Sequence, residues 1–245
     1  MRPTTIGILA GMGPRSTAPF LELVIDECQA QYGAKAELDF PHMLVYSLPA
    51  PFHMDRPLDR PAVSEAVRGG LARLEGAGVD FIAMPCNTAH ILYDELAASV
   101  GVPLLNMIDE AVAALPADSR ALALFATRMT AESGLYARGV AAAGLTLLAR
   151  EDWQRRADEL IVAIKSSPDR AAPQAMWDAL AGEVAAAGAD TVLLGCTDLN
   201  AVEPRLPAGL RLLDATACLA RATVRRYLGL TRRGSFQTGG PAGPE

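Results

Sequence analysis

Two segments of this 245-residue chain share one local sequence, and this internal repeat limits the possible folds more than any other feature. The segment AGVDFIAMPCNT (77–88) aligns without gaps with AGADTVLLGCTD (187–198), so that Cys86 aligns with Cys196. Each cysteine follows an apolar run of strand type and precedes polar, helix-capping residues. A repeat of this kind predicts two copies of one supersecondary unit that pack against each other.

The flanking segments repeat in the same order in each half of the chain. IGILAG (6–11) resembles LALFAT (122–127), and GVPLLN (101–106) resembles GLRLLD (209–214). Short strand-type runs alternate with helical patterns throughout, which predicts βαβ units with parallel sheets. We therefore predict an α/β fold of two similar parallel-sheet domains, related by a pseudo-twofold axis, with the active site in the cleft between them.

The boundary between the halves is predicted near LPADSR (115–120), where turn-forming residues interrupt two periodic segments. The first domain is then 1–115 and the second is 116–209. A C-terminal helix at about 210–229 is expected to return and complete the first domain. Residues 230–245 are rich in Gly and Pro, and we expect a flexible tail there.

The charge balance and the N-terminal sequence exclude several classes of protein. A formal net charge of −6 gives no long-range attraction to nucleic acid or to an anionic membrane surface, so neither is expected as a partner. The apolar run in MRPTTIGILAGMGPRST is too short for a signal peptide or a spanning helix. We expect a cytoplasmic enzyme that acts on a small molecule.

The four cysteines show no C-x-x-C pairing and no zinc-ligand spacing, and the three histidines are scattered, so no metal site is predicted. A single cysteine at the end of a buried strand usually serves only packing, and we assign Cys28 and Cys218 to that role. The duplicated context of Cys86 and Cys196 argues for function instead. Each should lie at the carboxyl end of a parallel strand, where ligands bind.

Each cysteine precedes the predicted start of a helix, so each sulfur should lie near the positive end of a helix dipole. This position favours the thiolate and predicts a lowered thiol pKa. Two halves packed about a pseudo-twofold axis would bring the sulfurs to opposite sides of one cleft. One thiolate could then remove a proton from a substrate Cα while the opposite thiol protonates the other face. This two-base inversion of stereochemistry requires neither a metal nor an organic cofactor.

Three segments resemble the hallmark motifs of the aspartate/glutamate racemase superfamily, and most closely its aspartate racemase branch. They are MPCNTAH (84–90), LLGCTD (193–198) and IGILAGMGP (6–14). The resemblance extends from Ile6 to about Leu228. It implies amino-acid racemisation by the two cysteines without pyridoxal phosphate, on two similar α/β domains, often in a homodimer.

The resemblance also implies roles for particular residues. Cys86 and Cys196 match the family's proton donor and acceptor. The substrate-pocket positions of the family correspond to Met12, Asn87, Thr88, Thr127 and Thr197. Hydroxyl and amide groups at such positions can bind the substrate carboxylate and ammonium, and they can cap the following helix as well.

Three positions bear on the choice of substrate, and two of them lie where the sequence departs from the family pattern. The usual Glu of the second motif is replaced by Asp198, whose side chain is one methylene shorter, which could change how the carboxylate supports the thiol or the substrate ammonium. Arg56, in the divergent loop SLPAPFHMDRP (47–57), could bind a side-chain carboxylate. Arg155 is a second candidate for that contact, because aspartate racemases tend to carry a basic residue there.

The acidic amino acids aspartate and glutamate are the substrates that these motifs predict, with aspartate first. Other enzymes of the superfamily remain possible, namely a cofactor-free decarboxylase, a cis-trans isomerase or a hydantoin racemase. The second cysteine favours racemisation, because a decarboxylase needs only one proton donor. A non-catalytic small-molecule sensor that has kept the pocket is the alternative from a different class.

Overall fold

The structure is a computed structural model that describes residues 2–236, with side chains for residues 2–231. The strands of the first half are β1 (Thr5–Ala10), β2 (His42–Ser47) and β3 (Phe81–Ala83). Its helices are α1 (Thr17–Tyr32), α2 (Arg60–Gly76), α3 (Tyr93–Ala97) and α4 (Met107–Ala113). Short 3₁₀ turns occur at Pro14–Ser16, Glu37–Asp39 and Thr88–Leu92.

The second half repeats this order of elements. Its strands are β4 (Ala121–Ala126), β5 (Thr146–Leu148), β6 (Thr191–Gly195) and β7 (Arg211–Asp214). Its helices are α5 (Arg128–Glu132), α6 (Leu135–Ala142), α7 (Glu151–Ser166) and α8 (Ala171–Ala186), and the last helix of the chain is α9 (Ala215–Phe236). A 3₁₀ turn at Thr197–Ala201 follows β6, as the turn at Thr88–Leu92 follows β3.

Two separate parallel sheets carry the fold. The first has the strand order β2-β1-β3, and the second has the order β5-β4-β6-β7. The central strands β1 and β4 are the two copies of the flanking repeat, and β3 and β6 lead to the two cysteines. The predicted α/β class with two similar parallel-sheet units is confirmed.

The two copies of the repeat at 101–106 and 209–214 do not form matching strands. In the second half, GLRLLD forms β7, and the Arg211 N–H donates to the Asp190 carbonyl at 2.9 Å. The matching residue of the first half is Pro103, which has no N–H to donate. Its segment forms only a single bridge, between Leu104 and Ile82. The strand expected over 101–106 is therefore reduced to one residue pair.

Helix α2 shows how the apolar pattern of the sequence is used. The carboxylate of Asp59 accepts the Ala62 N–H at 3.1 Å and caps the start of the helix. The helix then buries Val63, Val67 and Leu71, which recur at helical spacing on one face. This face packs against β1 and β2 of the first sheet.

The last helix connects the two halves. Helix α9 packs against α1 and α4 of the first half and also contacts β6 of the second. Cys218 and Leu219 of α9 belong to a buried cluster that contains Ile6 of β1 and Leu193 of β6. Cys28 lies in the same cluster, so both of these cysteines serve packing, as predicted.

The last helix extends into the segment 230–245, where the sequence predicted a flexible tail. Helix α9 continues to Phe236, and the Thr231 hydroxyl donates to the Tyr227 carbonyl at 3.2 Å. The helix contains no proline, and each of its two glycines, Gly229 and Gly234, costs a helix only about 1 kcal/mol. Residues 230–236 are therefore helical, and residues 237–245 lie outside the described part of the chain.

Candidate active site

A cavity of about 530 Å³ lies where the carboxyl ends of the two sheets face each other. Gly11 follows β1, Cys86 follows β3, Thr127 follows β4 and Cys196 follows β6. This is the edge at which parallel α/β sheets bind ligands. The cavity is lined by Gly11, Met12, Gly13, Pro14, Ser47, Pro49, Ala50, Phe52, Met54, Cys86, Asn87, Thr88, Thr127, Met129, Lys165, Gly195, Cys196, Thr197 and Asp198.

The two repeated cysteines line this one cavity. Cys86 is 5% exposed and Cys196 is 7% exposed, and both are free thiols. Each half of the chain thus contributes one buried sulfur, as the repeat predicted. An inversion at a single carbon needs one ionisable group on each face of that carbon, and two thiols on one cavity could supply them.

The expectation of a lowered thiol pKa is wrong. Burial raises the pKa of Cys86 to about 11, although the backbone N–H groups of Ala89 and Thr88 and the charge of Lys165 favour its thiolate. Burial, together with the negative charge of Asp198, raises the pKa of Cys196 even further. The elements that follow the cysteines are 3₁₀ turns of five residues, and their positive ends do not offset the loss of water.

A lysine that the sequence interpretation missed carries the positive charge of the cavity. The Lys165 ammonium lies 2.6 Å from Oδ2 of Asp198, whose side chain is only 4% exposed. The Cys196 thiol donates toward the same Oδ2 atom at 3.8 Å. Burial opposes the charged form of Lys165, but the Asp198 carboxylate outweighs this effect and raises the lysine pKa. Lysine, aspartate and cysteine therefore form one interacting group.

One signal in the sequence could have indicated Lys165. The chain holds 22 basic residues of the Lys and Arg types, and only Lys35 and Lys165 are lysines. Lysine is a compact point charge, unlike arginine. A lysine at the end of an amphipathic helix, in a chain that otherwise uses arginine, is therefore a candidate for a functional charge. The distance between Lys165 and Asp198 in the sequence nevertheless hides their contact.

Asn87 belongs to the cavity wall and carries an unpaired donor. The hydroxyl of Tyr136 donates to its Oδ1 atom at 2.5 Å. Its Nδ2 atom is buried and has no hydrogen-bond partner among the described residues. Buried polar groups almost always have partners, so an unpaired amide on a cavity wall indicates a ligand contact.

Three threonine hydroxyls join the two halves beside Asn87. Thr88 comes from the first half, and its Oγ1 lies 3.1 Å from that of Thr127 and 3.0 Å from that of Thr130. Thr127 also caps α5, since its Oγ1 accepts the Thr130 N–H. Thr127 therefore both caps a helix and lines the cavity, as the sequence suggested for these positions.

The segment after β1 closes the cavity from the first half. Met12 is 8% exposed and lies on the wall. Gly11 has φ +90°, and a Cβ there would lie 2.5 Å from the backbone nitrogen of Leu48. A Cβ on Gly13 would lie 3.1 Å from both Asp198 and Lys165, so this backbone covers the ion pair. The Thr197 hydroxyl of the second half donates a hydrogen bond to the Ser16 hydroxyl at 3.1 Å and so ties this segment to the second half.

A sequence profile for the family described as Asp/Glu/Hydantoin racemase matches residues 9–223. The chain belongs to this family. The racemase is also 41% identical over 223 residues to the broad specificity amino-acid racemase RacX of Bacillus subtilis, an alignment that covers 91% of this chain and 98% of RacX. It is therefore an isomerase, and amino-acid racemisation is the activity that these relationships support.

Solved structures of similar proteins have the same fold. The aspartate racemase of Picrophilus torridus superposes with a TM-score of 0.77 at 24% identity, covering 91% of this chain and 94% of that one. An aspartate racemase homologue from Pyrococcus horikoshii superposes with a TM-score of 0.72 at 20% identity, covering 92% of this chain and 99% of that one. At these identities the likeness concerns the fold alone.

The two arginines proposed for the substrate lie outside the cavity of this racemase. Arg56 is exposed and pairs with Asp55 at 3.4 Å, while Phe52 and Met54 of the same loop line the wall. Arg155 lies on the exposed side of α7, whose buried face carries the apolar residues of the helix. The loop turns its apolar residues inward because burying a charge without a partner is costly. The structure therefore places neither Arg56 nor Arg155 on the cavity wall.

His90 has a structural role in the racemase. Its Nδ1 lies 2.8 Å from the Cys86 carbonyl, and its Nε2 accepts the Met107 N–H at 3.0 Å. Burial lowers the histidine pKa, so the ring is neutral and links the cysteine segment to the start of α4.

Within residues 2–231, no group of three or more potential metal-binding side chains converges. The helices described for this chain are all too short or too polar to span a membrane.

Proposed function

We propose that this racemase inverts the Cα of an amino acid with Cys86 and Cys196 as the paired base and acid, without pyridoxal phosphate. The observation that carries the proposal is the arrangement of two buried thiols from duplicated segments on one cavity. A one-base enzyme would have no need of the second sulfur.

The surroundings of the two sulfurs favour different protonation states. The backbone N–H groups of Ala89 and Thr88 favour a thiolate at Cys86. Cys196 donates toward the Asp198 carboxylate, and a thiolate in that position would be repelled. In the proposed reactive form of the enzyme, Cys86 is the thiolate and Cys196 is the thiol.

The reaction then proceeds by two proton transfers. The Cys86 thiolate takes the Cα proton and becomes a thiol, and the electron pair of the broken C–H bond passes into the substrate carboxylate. Cys196 gives its proton to the opposite face of Cα and becomes a thiolate. A raised thiol pKa helps the first step, because it makes the thiolate a stronger base. The difference between the pKa of the thiol and that of the weakly acidic C–H group is then smaller. The other enantiomer uses the same groups in reverse.

Three groups are available to bind the substrate backbone. The unpaired Nδ2 of Asn87 can donate to the carboxylate. Lys165 also lines the cavity, and its ammonium can stabilise the charge that accumulates on the carboxylate as the proton leaves. Asp198 is the acidic group within reach of the substrate ammonium. Their closeness to both sulfurs supports an α-amino acid as the substrate.

The side chain of the substrate faces apolar walls. The aspartate hypothesis combined the motif match with Arg56 as the contact for a side-chain carboxylate. Arg56 does not line the cavity, and Lys165 is already paired with Asp198. Phe52, Met54 and Met129 surround much of the remaining space, and methionine adapts to different shapes. We therefore propose a range of side chains, uncharged ones included, rather than aspartate or glutamate alone. The similarity to RacX, named as a broad-specificity racemase, supports this range.

A panel of amino acids in deuterated buffer tests the proposal. Both enantiomers of each are incubated with the enzyme and no pyridoxal phosphate, and inversion and deuterium at Cα are measured. We expect inversion with deuterium uptake for several side chains. Release of carbon dioxide would favour a decarboxylase, and turnover of hydantoins alone would favour a hydantoin racemase. Binding without exchange would favour a sensor. Independence of pyridoxal phosphate and a homodimeric state both stay predictions.

A further inference from the structure

Tyr136 lies outside the cavity but contacts the residues next to both cysteines. Its hydroxyl donates to Asn87, which follows Cys86 in the sequence. Its ring lies against Gly195, which precedes Cys196, because a Cβ on Gly195 would lie 3.2 Å from the ring carbon Cε2. Tyr136 is fully buried and comes from α6 of the second half. One side chain thus touches both repeated segments.

The direction of the hydrogen bond fixes the direction of the Asn87 amide. The O···O distance of 2.5 Å is typical of an O–H···O bond and shorter than N–H···O bonds usually are. Burial raises the pKa of Tyr136 well above its ordinary value, so the phenol keeps its proton and acts as the donor. Oδ1 is therefore the acceptor, and both protons of the buried Nδ2 lack a partner among the described residues, in a side chain that belongs to the cavity wall.

We propose that Tyr136 is a positioning residue, which holds the Asn87 amide with its NH₂ group directed at the carboxylate of an amino-acid substrate. The inference rests on the proposed function for the identity of the ligand. Without the phenol hydroxyl, the amide can rotate and present either its oxygen or its nitrogen. An oxygen facing the carboxylate repels it, so substrate binding weakens while the two sulfurs are unaffected.

The kinetic test uses Tyr136→Phe, which removes one oxygen and keeps the ring against Gly195. With the best substrate of the panel, we expect KM to rise about 3- to 30-fold and kcat to change less than about threefold, as for the loss of one oriented hydrogen bond. The matched control is Tyr32→Phe, whose hydroxyl donates to the Asp39 carbonyl away from the cavity. Its KM should not change.

A double mutant separates positioning from a general loss of stability. If Tyr136 acts through Asn87, the variant Tyr136→Phe/Asn87→Ala should have the KM of Asn87→Ala alone. Effects that add, or a KM for Tyr136→Phe within twofold of the wild type, would overturn the proposal.

A spectroscopic test does not depend on turnover. The sequence contains only three asparagines, Asn87, Asn106 and Asn200, so selective ¹⁵N-asparagine labelling gives three side-chain NH₂ signals. Asn87→Asp assigns the signal of interest. We expect Tyr136→Phe to shift the Asn87 signal and leave the other two in place. An unshifted Asn87 signal would refute the positioning role, whereas a wild-type enzyme without racemase activity would refute the proposed function alone.

Discussion

Lys165 and Cys196 meet at a single atom, Oδ2 of Asp198, which lies 2.6 Å from the lysine nitrogen and 3.8 Å from the sulfur. The carboxylate therefore pairs with a cation and accepts from the thiol at the same time. It comes two residues after Cys196, in the position where the family usually has glutamate. Its contacts suggest that it controls the proton of Cys196.

Replacement of Asp198 by asparagine should slow catalysis while preserving the shape of the site. The neutral amide no longer attracts the thiol proton or balances Lys165, and we expect kcat to fall about 10- to 100-fold, within the range of lost acid–base assistance. Asp198→Glu is the matched control, which keeps the charge and should lose less than about tenfold. Steady-state rates from both enantiomers check this. Equal losses in the two variants would show that the charge has no role.

Replacement of Lys165 by methionine should affect both stability and binding. It leaves the carboxylate of Asp198 buried without its cation, and we expect a loss of about 1–3 kcal/mol, less than for a fully buried pair because the Lys165 side chain is 37% exposed. KM should rise as well. Thermal unfolding and kinetics measure the two effects, with exposed Lys35→Met as the control. Unchanged stability and KM would contradict a role for Lys165.

The activity should rise with pH over the neutral range. Because the pKa of Cys86 is raised to about 11, its active thiolate is a minor form, and its population grows about tenfold per pH unit below that pKa. We expect kcat/KM to increase between about pH 6 and pH 8, with a slope near one on a logarithmic scale. Iodoacetamide should inactivate faster over the same range. A flat or falling kcat/KM would indicate a thiolate that is already formed at neutral pH.

Arg56 and Arg155 should prove dispensable. Both lie outside the cavity, so Arg56→Ala and Arg155→Ala should each leave the KM for aspartate, and for any better substrate, within about twofold of the wild type. The KM values of the two variants, compared with that of Lys165→Met, show whether either arginine contacts the substrate. A large rise in the KM for aspartate in Arg56→Ala would restore the clamp that the sequence suggested.

The sequence predicted the features that depend on local pattern. The repeat around Cys86 and Cys196 indicated two parallel-sheet units and one shared cavity, because parallel strands that end alike bring their following residues to one edge. Threonine and asparagine at those ends marked the cavity wall for the same reason. Even the shortened strand at Pro103 has a local cause, the missing N–H of proline.

The features that depend on tertiary packing could not be predicted in this way. Lys165 comes from a helix distant in the sequence from both cysteine segments, and only the packing of α7 brings it to Asp198. The pKa of each thiol is set by burial, which the position before a turn does not reveal. The loop containing Arg56 has no counterpart in the repeat, so no register fixed which of its side chains would face inward.

The most direct test of the two-thiol account is the kcat of Cys86→Ala, Cys196→Ala and the double variant, measured from each enantiomer. Cys28→Ala and Cys218→Ala are the matched controls, because these buried cysteines lie outside the cavity, and both should remain active. We predict that either cavity variant loses racemisation in both directions, and that the double variant falls little further, since the two sulfurs share one reaction. A folded Cys196→Ala enzyme that interconverts the enantiomers at close to the wild-type rate would contradict the account.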